Sequence, residues 1–393
     1  MYKSSRQATL IISLMSVSAL AHADLSNTFS PYVGATTAYN SNLFLLQNDQ
    51  AALATLGTTD MSETYQAYAA GVTMNWQLSR QLISGRAEIN QVNFNTYKTM
   101  DYTGHDLALK WDWLVDGILQ GEVGVSDTLT LAPFLYTKQP IANLLTTRKA
   151  YINSFIKLNN RWQIKLGADT THKTNSEASQ QNNDINIDSY NAGFRYLTPK
   201  GSKFDFNSKV SNGNYPSQLT PIHTYTQYDN GISFEWVATG KTKLSGKINY
   251  TKRDYPNSQQ NNYSGVTGRI AADWLVTSKT TLNLAIYREL NSFLVQSATF
   301  DSSYDVAQGM SVQATWLTTN KITTTVAGKH ETINYQSTPA RTDKLTSASM
   351  DLTYQLFRKT KIDLIAERGV RQSNLDGNSY RYNSFMLGIN NAF

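Results

Sequence analysis

Cysteine is absent from the 393 residues, proline appears eight times and histidine five, and 16% of the residues are charged. Without cysteine there is no disulfide framework and no thiolate metal site. After residue 23 no stretch approaches the roughly 18 consecutive apolar residues that a membrane-spanning helix needs. No block of like charge occurs, which removes the usual electrostatic footprint of a nucleic-acid-binding protein. The pI near 9.1 points the same way once Lys3 and Arg6 are set aside with the leader described below, because the basic count then falls close to the 29 acids. His105, His172, His223 and His330 are dispersed, and no HExxH, G-x-S-x-G or phosphate-binding loop is present. No catalytic residue, cofactor or metal is expected.

What the chain has in abundance is alternation. In Asp229–Tyr250, DNGISFEWVATGKTKLSGKINY, residues Ile232, Phe234 and Trp236 alternate with Ser233, Glu235 and Val237. After a break at Ala-Thr-Gly, Leu244, Ile248 and Tyr250 share one parity while Lys243, Ser245, Lys247 and Asn249 share the other. Two half-buried strands joined by a tight turn give this pattern. The phrase of an aromatic strand end, a Thr/Ser turn and a basic residue returns at Trp76–Arg80, Tyr196–Lys200, Trp274–Lys279 and Trp316–Lys321. A period of about 40 residues makes the hairpin the unit of the whole architecture.

The N-terminus reads as a secretory signal peptide: a positive Lys3/Arg6 region, an apolar Ala8–Leu20 core and an Ala21-His22-Ala23 cleavage site. Residues 1–23 are therefore expected to be removed and residues 24–393 to form one domain. Its expected class is all-β: a transmembrane antiparallel up-and-down β-barrel of about 18 strands, with 16 as the fallback count. The mean hydropathy of −0.41 agrees with a wall whose every second residue faces water. Short turns and long polar loops are expected to alternate strictly, with loops near 40–61 (holding a short helix), 132–148, 214–224, 255–262, 293–302, 336–342 and 374–379. Loops 40–61 and 132–148, the most apolar, either fold inward as a gate or pack on the rim.

Six of the seven tryptophans lie within a few residues of a short turn, the pattern of an aromatic girdle at one membrane boundary. Most of Tyr255, Tyr263, Tyr287 and Tyr380 are expected to be girdle residues too, the alternative being rings that stack on sugar faces. Phe385, Leu387, Ile389 and the terminal Phe393 share a parity, as in the C-terminal assembly signals of outer-membrane barrels. Such a sheet must close, so the first and last strands should pair. If the apolar parity faces lipid, the lumen is lined by Lys110, Asp112, Lys165, Arg195, Glu235, Lys247, Arg269, Asp273, Glu367 and Arg371, among others. Singly, each of these charges pairs with a neighbour; together they imply a hydrated interior. The destination is the outer membrane of a Gram-negative bacterium, with lipid and lipopolysaccharide as surroundings.

The stretch Pro31-Tyr-Val-Gly-Ala-Thr-Thr-Ala-Tyr39-Asn-Ser-Asn-Leu-Phe44-Leu-Leu46 resembles the start of the EpsL-like exopolysaccharide-biosynthesis outer-membrane β-barrels, part of a wider β-barrel porin group. Asn42-Leu43-Phe44 and Leu46 carry the likeness. Asn40 and Ser41 stand where that family has acids, and Leu45 stands in place of its arginine. The resemblance implies a passive aqueous pore for export of an extracellular polysaccharide, with periplasmic or inner-membrane export proteins as partners. A general diffusion porin or nutrient-uptake channel, and a plugged structural or adhesive barrel, are the alternatives.

Overall fold

A computed structural model of the chain describes residues 28–393 except 136, 219–220 and 298–299. The expected signal peptide lies outside the described residues. Eighteen antiparallel strands form one closed sheet: β1 (Phe29–Asn40), β2 (Glu63–Leu78), β3 (Gln81–Phe94), β4 (Tyr102–Val115), β5 (Leu119–Leu131), β6 (Leu144–Lys157), β7 (Trp162–Asn175), β8 (Ile185–Leu197), β9 (Lys203–Asn214), β10 (Thr224–Val237), β11 (Thr242–Asp254), β12 (Tyr263–Thr277), β13 (Thr280–Ser297), β14 (Phe300–Leu317), β15 (Ile322–Thr338), β16 (Arg341–Phe357), β17 (Thr360–Ser373) and β18 (Tyr380–Ala392). Each strand pairs with its neighbours in sequence, and β1 pairs with β18 from Tyr32↔Ala392 to Asn40↔Ser384. Closure leaves no bare edge of N–H and C=O groups, which lipid would penalise by several kcal/mol each.

The period of two decides which side chain meets lipid. Trp236 pairs with Leu244 and Ile232 with Ile248, and all four face outward. One residue along, Glu235 and Lys247 face the interior. The seven tryptophans sit on outward positions near one end of the barrel, beside the turns at 79–80, 116–118, 158–161, 238–241, 278–279 and 318–321. Phe385, Leu387, Ile389 and Phe393 are likewise exposed. A closed sheet with an apolar outer band and an indole girdle is the wall of an outer-membrane barrel.

At the opposite end the connections differ from the expected set. The loop after β5 is 132–143 rather than 132–148, because β6 begins at Leu144. The expected loops at 293–302 and 336–342 are mostly strand. β13 and β14 run to Ser297 and from Phe300, while Pro339 and Ala340 alone join β15 to β16. These four strands, 17 or 18 residues long, rise beyond the apolar band. In 336–342, Gln-Ser-Thr-Pro-Ala-Arg-Thr, polar residues fall on both parities, so the two-residue period fades and strand resembles loop. Strict alternation of short and long connections fails at these two hairpins.

Between β1 and β2 the chain turns inward before forming helix α1 (Asp49–Leu56). Leu43, Phe44, Leu45 and Leu46 are almost fully buried. They belong to the interior clusters formed by the upper ends of β2–β4 and by Tyr380 and Tyr382. Full burial of each such side chain contributes about 1.5–3 kcal/mol.

Candidate channel lumen

The inner wall is polar and wet towards the girdle end. Lys110 pairs with Asp112 at 2.6 Å, Lys209 with Asp169 at 2.8 Å and Lys243 with Glu235 at 3.0 Å, and these side chains keep between 24% and 47% of their surface exposed. Arg195 grips Asp205 through two hydrogen bonds of 2.6 and 2.8 Å, with Lys165 at 3.5 Å. Asn283 donates to Asp273 at 2.6 Å. Lys247, Arg269, Glu367 and Arg371 also point inward. All ten sequence-selected residues thus occupy the inner parity, but they form several separate networks around the circumference rather than one site.

Inward tyrosines form a device that strand-by-strand reading did not reveal. Tyr32 lies opposite Gly71, and Gly71 lies opposite Glu88. The Tyr32 ring covers the glycine, where a Cβ would come within 2.6 Å of it, and its hydroxyl donates to Glu88 at 2.6 Å. Tyr287, Gly309 and Glu331 repeat this across β13, β14 and β15, with a 2.6 Å hydrogen bond. Tyr382 covers Gly369 and donates to Glu367 at 2.6 Å. Glycine in a strand weakens it unless something packs there; the ring does so here and fixes the register. The signal was cross-strand, an inner tyrosine opposite a glycine, visible only once the pairing is known. Tyr255, Tyr263, Tyr287 and Tyr380 are accordingly not girdle residues: each is at least 91% buried, on the inside of the barrel or at its mouth.

Towards the loop end the interior becomes tighter and richer in arginine. Asp343 receives Arg341 at 2.7 Å and Arg371 Nε at 2.7 Å, and Arg371 also donates to the Tyr335 hydroxyl. Arg341 stacks over Tyr335 at 4.5 Å, and Arg253 over Tyr225 at 4.2 Å with two hydrogen bonds to Gln227. Each guanidinium thereby lies over a ring while its fork of donors stays bonded, a combination lysine would not reproduce.

Two bridges cross the mouth. The first is made by the inward loops. Phe44 packs edge-on against Tyr97 at 4.9 Å and Phe134 at 4.8 Å, joining loop 41–62 to loop 132–143. Leu45 and Leu135 rest on Tyr380 and Tyr382, and Lys138 donates to the Gly377 carbonyl and, at 3.3 Å, to Asn378. The chain between β5 and β6 thus reaches the connection between β17 and β18. Burial, with Arg341 and Arg371 nearby, pushes the Lys138 amine down to about 8. Asn42 holds the bend: its amide donates to Leu46 O at 2.7 Å, and its oxygen accepts from Leu46 N at 2.9 Å. Leu45 takes φ 58, a conformation costly to a residue with a Cβ and compensated by its burial. Glu63 closes the loop by accepting from the amides of Thr96 at 3.1 Å and Tyr97 at 3.0 Å.

The second bridge is the β13–β14 hairpin. Tyr304 and Val306 pack with Tyr255, Tyr263, Tyr215, Ile222 and Ile185, and the Tyr225 and Ser292 hydroxyls bond at 3.2 Å. β13 also contacts the 3-10 turn Ala178–Asn183 between β7 and β8, five strands away around the wall. Register shifts in β13 and β14 accompany the bend. Among the described residues, no three of His, Asp and Glu meet as metal ligands.

Comparison with known proteins agrees with this architecture. Residues 223–393, β10 to β18 and less than half of the chain, match the family model described as "Putative beta-barrel porin 2". Among solved structures, OccK9 (OpdG) of Pseudomonas aeruginosa superimposes with a TM-score of 0.52 at 10% identity, over 93% of this chain and 98% of that one. OccK2 (OpdF) of the same organism gives 0.51 at 10% identity, covering 93% and 97%. A BenF-like porin from Pseudomonas fluorescens Pf-5 gives 0.50 at 10% identity, covering 93% and 99%. None of the curated proteins compared matches the chain. At such identities the likeness is one of fold: a porin-like barrel of the Gram-negative outer membrane.

Proposed function

We propose that this barrel is a passive channel for uptake of small hydrophilic solutes, without covalent chemistry. The observation that carries the reading is the pair of bridges over a wet lumen. The lower interior presents solvated side chains of both signs, among them Lys110, Asp112, Glu235 and Lys247, while loop 132–143 and the β13–β14 hairpin divide the opening above. A solute entering there meets rings and guanidiniums fixed by Asp343, Gln227 and the tyrosines, then exchanges hydrogen bonds with mobile side chains and water below. No single site holds it, so passage follows the concentration gradient. The porin-like fold and the family match over β10–β18 support this reading.

Export of a polysaccharide is the second reading, and the Pro31–Leu46 stretch is what favours it. In that reading the partners are a polysaccharide chain and periplasmic or inner-membrane export proteins. The same residues, however, have a structural duty: Asn42 fixes the bend, and Leu43 and Phe44 seat the loop. That duty needs no polymer. Liposome swelling with neutral, anionic and cationic solutes of graded size tests the proposal. Entry of the small solutes, falling steeply with size, is expected. A folded barrel that admits none of them, together with loss of surface polysaccharide on gene deletion, would overturn uptake in favour of export.

A further inference from the structure

The outer wall carries a feature that a bare cylinder in lipid does not need. Across β1, β2 and β16–β18 runs an apolar groove of about 430 Å³. Its sides are Met350, Leu364, Phe385 and Leu387, and the small outward residues Thr37 and Ala366 leave room between them. Directly towards the loop end lies a cleft of about 920 Å³, between the start of α1 and the upper parts of β17 and β18. Arg368, Arg381 and Asn383 line it from the wall, Asn48 and Asp49 from the helix.

The two spaces are continuous in register. On β17 the outward positions run Leu364, Ala366, Arg368; on β18 they run Leu387, Phe385, Asn383, Arg381. Past β1, Tyr39 in the groove is followed two residues on by Ser41 in the cleft. On all three, apolar gives way to polar within one pleat, about 7 Å of rise. Such a switch on the outer wall is expected where the hydrocarbon of the outer leaflet meets its headgroups. Arg368 and Arg381 are both exposed there, and among the described residues neither forms an ion pair with a carboxylate; Arg368 has only a 3.5 Å contact to Asn383. Guanidinium forks suit phosphate oxygens bidentately, and a point at the membrane boundary strengthens the pairing.

We propose that this paired groove and cleft form a binding site for one phosphorylated glycolipid of the outer leaflet, the chemistry of lipopolysaccharide. An acyl chain lies in the groove over Ala366, and a headgroup phosphate is held between Arg368 and Arg381. The site lies on the lipid side of the wall and is independent of what the lumen carries. It also buttresses the β1–β18 seam from outside, opposite the point where Leu45 presses on Tyr380 and Tyr382 from within.

Native mass spectrometry of the full-length barrel, extracted from outer membranes in mild detergent, tests this. The expected result is one retained phosphorylated glycolipid per barrel. Occupancy should fall at least tenfold in R368Q/R381Q, and separately in A366F, which fills the groove without changing charge. K252Q, on the outer wall at β11, should leave it unchanged. Heat-modifiable migration on gels confirms that each variant is folded. Equal occupancy in wild type and R368Q/R381Q would overturn the proposal, as would equal binding of the dephosphorylated glycolipid. A lipid-free dimer that A366F dissociates would assign the groove to a second copy instead.

Discussion

Replacing Phe44 with alanine separates the bridge from the wall. Phe44 is fully buried and meets Tyr97 and Phe134 edge-on, so the change deletes two aromatic contacts of about 0.5–1.5 kcal/mol each within a total loss of about 3–5 kcal/mol. The eighteen-strand ladder does not depend on this ring, because every strand keeps both partners. The loss therefore falls on docking of loops 41–62 and 132–143, shifting their docked-to-free ratio by roughly two to four orders of magnitude. Single-channel recording in a planar bilayer should show a larger and noisier conductance, while heat-modifiable migration stays that of a folded barrel. Protease nicking within loop 41–62 gives an independent readout of undocking. If F44A is nicked there and its conductance is nonetheless that of wild type, the loops do not narrow the channel and the reasoning fails.

Other consequences follow from the same geometry. Because the Lys138 amine is pushed below its ordinary value of 10.5 to about 8, its charged form is disfavoured in the docked loop. That penalty acts in full below pH 8 and disappears by pH 10.5, so docking tightens by up to about 3 kcal/mol over the rise. Conductance should fall between pH 7 and pH 10 in wild type and show no such step in K138Q. Asp343→Asn leaves Arg341 and Arg371 facing each other without a counter-charge and should cost about 3–5 kcal/mol, read as a lower temperature for loss of the folded gel form. Gly71→Ala forces a Cβ against the Tyr32 ring and should cost about 1–3 kcal/mol in the same assay; adding Tyr32→Ala should recover part of it.

The wall was legible in the sequence because a strand with one face in lipid and one in water must alternate. Trp236, Leu244 and Ile248 announce their side with no help from the rest of the chain. Strand number, the closing pair and the outward tryptophans followed from that rule. Where it stops applying, the reading went astray. Residues 336–342 are polar at both parities, and in 293–302 apolar residues fall on both parities, so neither stretch carries a period of two. That most of Tyr255, Tyr263, Tyr287 and Tyr380 belong to the girdle is an expectation the structure overturns: an aromatic residue fits either face, and only its cross-strand partner, Gly309 for Tyr287, decides. The lumen was legible as a parity but not as a site. Lys138 meets Gly377 and Asn378 across some 240 residues of chain, and no local pattern encodes that encounter.

The absence of native cysteine allows the central claim, a water-filled passage lined by one parity of each strand, to be measured one residue at a time. Single-channel current is recorded from Lys243→Cys, Lys247→Cys, Ile248→Cys and Tyr250→Cys while a charged thiol reagent is added to the aqueous phase. The account predicts stepwise loss of current at 243 and 247 and none at 248 and 250. Equal modification of all four, or no effect on current at 243 and 247 despite labelling, would contradict it.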